Sequence, residues 1–295
     1  MNTKNIVLGL IALLLIAGGV YFITQQSQDA VVVVQETEEA AEAPAETNEG
    51  EDSNEDTAPE MTGDERGEET VLGTSVNGDE IVAYHFGSGE TEILLIGGTH
   101  GSDAPSTAAL AEEFVAYFAA DDSAIADNLM VTIIPNLNPD GAEKSGAAGR
   151  FNENNVDLNR NFDCEWSETA VWRQQEVSGG SKPFSEPEAA ALRDYVDTYS
   201  PNAAVVWFAS EGKVYPSACA TTPSNASVQL AAAYASAAGY PAEAEFDAYA
   251  ITGDMVNWMA KEGVPAISVL LTDRTNTEWT KNEAGVMAVL AQYAN

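Results

Sequence analysis

Four apolar stretches constrain the fold more than any other feature of this chain. "EILLIGG" (92–98), "LMVTIIPNL" (129–137), "AAVVWFA" (203–209) and "PAISVLLT" (265–272) are nearly uninterrupted and rich in β-branched residues. A strand with one face in water alternates polar and apolar residues, whereas a continuous run needs cover on both faces. Helix-period segments supply that cover at 105–120, 185–199, 226–239, 253–263 and 277–293. The second opens with Ser185-x-x-Glu188, the pattern of a capping box. Gly239 and Gly263 stand where the third and fourth end, as helix-terminating glycines do. The expected fold is an α/β three-layer sandwich, with a mixed, largely parallel central sheet flanked by helices. In such sheets sites form at the carboxyl ends of strands, and His100 follows one of them.

The first seventy residues read differently. Residues 6–24, "IVLGLIALLLIAGGVYFIT", are apolar throughout. At about 1.5 Å per residue such a helix spans roughly the 30 Å hydrocarbon core of a bilayer. The run exceeds the usual secretory apolar region and no small-x-small cleavage site follows Tyr21, so an uncleaved signal anchor is expected. Lys4 would keep residues 1–5 in the cytoplasm, and everything beyond the span would lie outside it. Residues 25–70 carry no aromatic side chain, and from Asp29 to Glu69 sixteen acids face one base, Arg66. Such a composition cannot bury enough apolar surface to offset backbone ordering, so a disordered linker is expected. Residues 71–295 then form one domain. The chain's net charge of −35 argues against nucleic acid as a partner. Cys164 and Cys219, an even pair in an exported domain, are expected to form a disulfide.

The residues that carry chemistry begin with His100-x-x-Asp103. A histidine following Gly97-Gly98 at a strand end, with a carboxylate three positions on, offers one nitrogen and one oxygen to a metal such as zinc. "NLNPDGAEKSGAAGRFNENNVDLNRNFD" (136–163) is polar and rich in asparagine although it follows a buried strand. Its Arg150 and Arg160 can present planar forks to a carboxylate, with Asn159 as a further donor.

Taken together, His100-x-x-Asp103, Asn138-Pro139-Asp140-Gly141, Arg150, "NNVDLNRNF" and "PFSEPEA" (183–189) resemble the zinc carboxypeptidase family, and its bacterial murein-peptide branch in particular. The resemblance implies a domain that acts outside the cytoplasm on the free C-terminus of peptides, with Zn²⁺ as cofactor. It implies His100 and Asp103 as zinc ligands and Arg150 as the group that stabilises the oxyanion. It also implies Asn159, Arg160 and Tyr249 as the residues that bind substrate. Two positions depart from the pattern. Ala209 stands where the family has its third zinc ligand, a histidine, and Leu270 where it has the catalytic glutamate. Glu211, two positions past Ala209, is a candidate substitute ligand, and Asp273 a candidate substitute acid; His85 reads as a packing or surface histidine. A general base contributes roughly 10²- to 10⁴-fold of rate, and catalytic zinc sites keep three protein ligands. Weak or absent turnover is therefore expected, and a non-catalytic domain that binds peptide C-termini or serves as a scaffold is the alternative. An amidohydrolase of the aspartoacylase kind shares the His-x-x-acid and Asp-Leu-Asn-Arg elements, but the Asn-Pro-Asp-Gly run and Tyr249 favour the carboxypeptidase pattern.

Overall fold

The computed structural model describes residues 66–295. The expected membrane span (6–24) and nearly all of the expected linker lie outside these residues. Among the described residues no helix is long and apolar enough to cross a membrane.

The strands are β1 (Glu69–Thr74), β2 (Glu80–Gly87), β3 (Thr91–Ile96), β4 (Leu129–Ile134), β5 (Thr169–Trp172), β6 (Gln175–Ser178), β7 (Ala203–Ala209), β8 (Lys213–Pro216) and β9 (Ala266–Leu271). The helices are α1 (Pro105–Ala120), α2 (Pro139–Glu143), α3 (Pro187–Tyr199), α4 (Asn225–Ala238), α5 (Met255–Lys261) and α6 (Trp279–Tyr293). The first strand of the described residues thus begins at Glu69, inside the last residues of the acidic stretch.

Seven strands form one sheet in the order β1-β2-β4-β3-β7-β9-β8. The four apolar stretches are its centre, and β4, β3, β7 and β9 run parallel to one another. Antiparallel β1, β2 and β8 complete the edges, while β5 and β6 form a separate hairpin. Alternate side chains explain why the central strands are apolar throughout. Ile93, Leu95, Val205 and Trp207 join one core with Leu110 and Phe114 of α1, Leu230 of α4 and Val286 of α6. Leu94, Ile96, Val206 and Phe208 join a second core with Leu192 of α3 and Trp258 of α5. The sheet is covered on both faces, and the three-layer expectation holds.

One sequence reading needs correction. Helix α3 is capped by Glu186, and no side chain bonds its first amides. Ser185 donates instead to the Glu186 carboxylate at 2.8 Å, and Glu188 is buried against Asn152. Asn161 binds both Ser185 and the Glu186 amide, and this tertiary contact outweighs the local box. By contrast Gly239 closes α4 in the left-handed conformation, as expected. Cys164 and Cys219 are disulfide-bonded, with Cα atoms 5.7 Å apart.

Candidate functional site

The carboxyl ends of β3, β7 and β9 open into one cleft of about 570 Å³. Gly98, at φ 68°, carries the chain from β3 to His100, and a Cβ there would come within 2.6 Å of the Asn136 Cα. Only glycine fits so tight a crossing. The Asn-Pro-Asp-Gly run then fixes the loop. The Asn138 side chain accepts from the Gly141 amide at 2.9 Å and donates to the Thr99 carbonyl at 3.2 Å. Asp140 accepts from Ser75 at 2.6 Å. These residues build the wall behind His100 rather than the cleft itself.

His100, Arg150, Asn159, Arg160, Ala209, Glu211, Tyr249 and Leu270 all line the cleft. His100 is only 5% exposed and its ring lies 5.4 Å from Phe208, yet neither ring nitrogen has a hydrogen-bond partner. An Asp157 carboxylate oxygen sits 3.8 Å from Nε2, too far for such a bond. Asp157 is fully buried and accepts from Arg150 Nε at 2.7 Å and from the Asn159 amide at 3.2 Å. With Nε so engaged and its guanidinium carbon 4.5 Å from the centre of the Trp172 ring, Arg150 lines the cleft. Arg160 is 1% exposed and donates to the Val171 and Asn159 carbonyls, which uses two of its five donors. The Asn159 side chain bonds Asp254 at 2.9 Å and the Met255 amide at 3.1 Å, so it clips the head of α5 and keeps one amide hydrogen in reserve. Gly253, at φ 66°, allows this approach, because a Cβ there would fall 2.1 Å from the Arg160 carbonyl oxygen.

The expected metal ligands do not converge. Asp103 is ion-paired to Arg274, whose Nη1 also donates to the Asp103 carbonyl at 2.8 Å. Ala209 ends β7 in register with Leu271 and brings no donor atom. Glu211 accepts from Tyr215 at 2.8 Å. Among the described residues no three His, Cys, Asp or Glu side chains are grouped to hold a metal ion. Neither His100 nitrogen nor Asp103 Oδ2 has a hydrogen-bond partner, but Asp103 is ion-paired to Arg274. A zinc ion therefore finds at most two protein donors where a catalytic site keeps three, and the residues present do not complete its site. Neither residue expected at or near the general-base position brings a carboxylate to the cleft. Leu270 faces the cleft, and Asp273 is turned into a local loop, accepting from the Thr275 and Asn276 amides at 2.7 and 2.8 Å. His85 lies in β2 with its ring nitrogens against Thr132 and Thr70, a packing histidine as expected.

Sequence reasoning missed three residues of the site: Asp157, Trp172 and Arg274. Asp157 lay within a quoted motif between two arginines, a signal that a buried base needed an acid. Arg274 follows the end of a parallel strand, where sites form.

The zinc carboxypeptidase family model matches residues 64–286. The chain belongs to that family. Carboxypeptidase D of Anas platyrhynchos is 32% identical over 123 residues, which cover 38% of this chain and 8% of that protein. Carboxypeptidase B of Astacus astacus is 28% identical over 151 residues, 44% of this chain and 50% of that one. The chain thus spans at most about half the length of these relatives. Among solved structures, murein-tripeptide amidase MpaA from Escherichia coli O157 superposes with a TM-score of 0.60 at 23% identity, over 78% of this chain and 93% of that one. Bovine thrombin-activatable fibrinolysis inhibitor does so with a TM-score of 0.62 at 19% identity, over 76% and 87%. These superpositions establish the zinc carboxypeptidase fold.

Burial lowers the His100 pKa well below its usual 6.5, and Arg150, Arg160 and Arg274 lower it further. The sign of the pH effect follows. Below pH 6.5 the unfolded chain takes up a proton that the folded domain refuses, so stability falls as pH drops through this range. The loss approaches roughly 1.4 kcal/mol per pH unit. Buried Asp254 and Glu188, whose pKa values are raised from 3.8 and 4.5, oppose it at lower pH. Urea unfolding at pH 7.5 and 5.5 should show the loss in the wild type and a smaller one in His100→Gln. Equal losses would remove His100 from the account.

Proposed function

We propose that this domain holds the free C-terminal carboxylate of a peptide on the floor of the cleft and does not cleave it. One observation carries the reading: four of the chain's six arginines, Arg150, Arg160, Arg173 and Arg274, line this one cleft in a chain of net charge −35. Arg150 and Arg160 are almost wholly buried, as are the acids Asp157 and Asp254 beside them, while the other lining acids, Glu165, Glu211 and Glu245, are exposed. Buried guanidinium forks favour a carboxylate over a neutral group, because charge-assisted bidentate bonds are strong and directional. Ala209 and Leu270 support the non-catalytic half of the proposal.

The similarity to a murein-tripeptide amidase makes a cell-wall stem peptide the first ligand class to test. The Cys164–Cys219 disulfide supports a location outside the cytoplasm, with residues 6–24 as the membrane anchor.

Calorimetry with matched peptides tests the reading. A hydrogen bond to a charged group contributes about 1.5–3 kcal/mol, so the free-carboxylate form should bind roughly 10- to 150-fold more tightly than its C-terminal amide. Arg160→Gln should erase that preference. Equal affinity for both forms, or release of the terminal residue on prolonged incubation, would overturn it.

A further inference from the structure

We infer that Arg274 is the fixed cation of this cleft, in the role a metal ion has elsewhere in the family. It holds Asp103 in place and offers its remaining donors to an anionic group of the ligand beside His100. The inference rests on the carboxylate-binding reading and says which charge meets the ligand.

The geometry supports it from both ends of the ion pair. Arg274 Nη1 donates to the Asp103 main-chain carbonyl and is ion-paired to the Asp103 carboxylate. Its own carbonyl accepts the Ser106 amide at 3.2 Å, which ties the loop after β9 to the head of α1. Asp103 is anchored in turn, its amide donating to the His100 carbonyl at 3.0 Å. The side chain of Arg274 is 25% exposed, so this is no freely moving surface arginine. A dication at this point would need the Asp103 carboxylate and would have to displace the Arg274 guanidinium ion-paired to it. Ala209 supplies nothing in compensation.

His100 adds an independent observation. A buried imidazole with two unpartnered nitrogens is costly unless a ligand satisfies it. In its neutral form one nitrogen carries a proton to donate and the other accepts. Arg150 and Arg274 line the same cleft as His100 and act on it electrostatically, and an anionic oxygen is the kind of group that accepts from an imidazole N–H and from a guanidinium alike.

The experiment uses the full-length chain in detergent. After incubation with zinc chloride and dialysis, the wild type should retain far less than one zinc per chain. A chelator should leave its affinity for the free-carboxylate peptide unchanged. Arg274→Gln should weaken that affinity about tenfold, the lower end for a charged hydrogen bond, and reduce its dependence on salt. Arg274→Lys, which keeps the charge, should recover part of it. Stoichiometric zinc in the wild type, peptide binding abolished by the chelator, or full affinity in Arg274→Gln would each overturn the inference. The zinc measurement needs no peptide, so its outcome is independent of whether the free and amidated peptides differ.

Discussion

Replacing Asp157 with alanine is expected to destabilise the domain by about 3–5 kcal/mol, the range for a buried ion pair broken on one side. Asp157 is fully buried, and its Oδ2 accepts from Arg150, which is 3% exposed. Burial already disfavours the charge on Arg150, and the Asp157 carboxylate is the largest opposing influence. Without it a guanidinium stays in the interior with Trp172 on one side and no counter-ion. The Asp157 side chain also caps the short turn at Leu158–Arg160 through the Asn159 amide, so both cleft residues of that turn would lose their anchor. Asp157→Asn keeps the shape and the hydrogen-bonding capacity and should cost less. Urea unfolding of the three proteins at pH 7.5 checks the order. A loss below about 1 kcal/mol for Asp157→Ala would mean that Arg150 escapes to water, and its place on the cleft floor would have to be abandoned.

The central sheet was legible in the sequence for a physical reason. Strands covered on both faces have no polar alternation to blur them, and β7 matches its apolar run residue for residue. The edges were harder. β8 is four residues long and partly exposed, and the β5–β6 hairpin mixes Trp172 with charged neighbours, so neither carries a clear period. The site divides in the same way. His100, Arg150, Asn159 and Arg160 stand in ordered motifs and do line one cleft. The pairing of Asp103 with Arg274 spans 171 positions, and no local pattern encodes it. The capping box failed for a related reason: Asn161, far along the chain from α3, claimed Ser185 and the Glu186 amide.

Combining Ala209→His with Arg274→Gln is expected to create a zinc site that neither change creates alone. The histidine would stand at the carboxyl end of β7, one strand over from the β3 end that leads to His100. With Arg274 removed, Asp103 would be released from its ion pair, and the set would become two imidazoles and a carboxylate, the composition of open zinc sites. Ala209→His alone leaves Asp103 committed to Arg274, and Arg274→Gln alone leaves only His100 and Asp103. The two changes should therefore be strongly non-additive, as expected for groups that share one partner. Changes beyond the ligands themselves shift metal affinity by roughly 10- to 100-fold, so supplying a ligand and freeing another should exceed that range. Zinc titration by calorimetry across the four proteins of the cycle gives the coupling directly. Tight stoichiometric binding by Ala209→His alone would show that Arg274 does not withhold Asp103, whereas silence in the double variant would mean that the end of β7 points an imidazole elsewhere. Peptide hydrolysis is not expected even from a zinc-loaded double variant, because Leu270 still presents a methyl surface where a proton acceptor is needed.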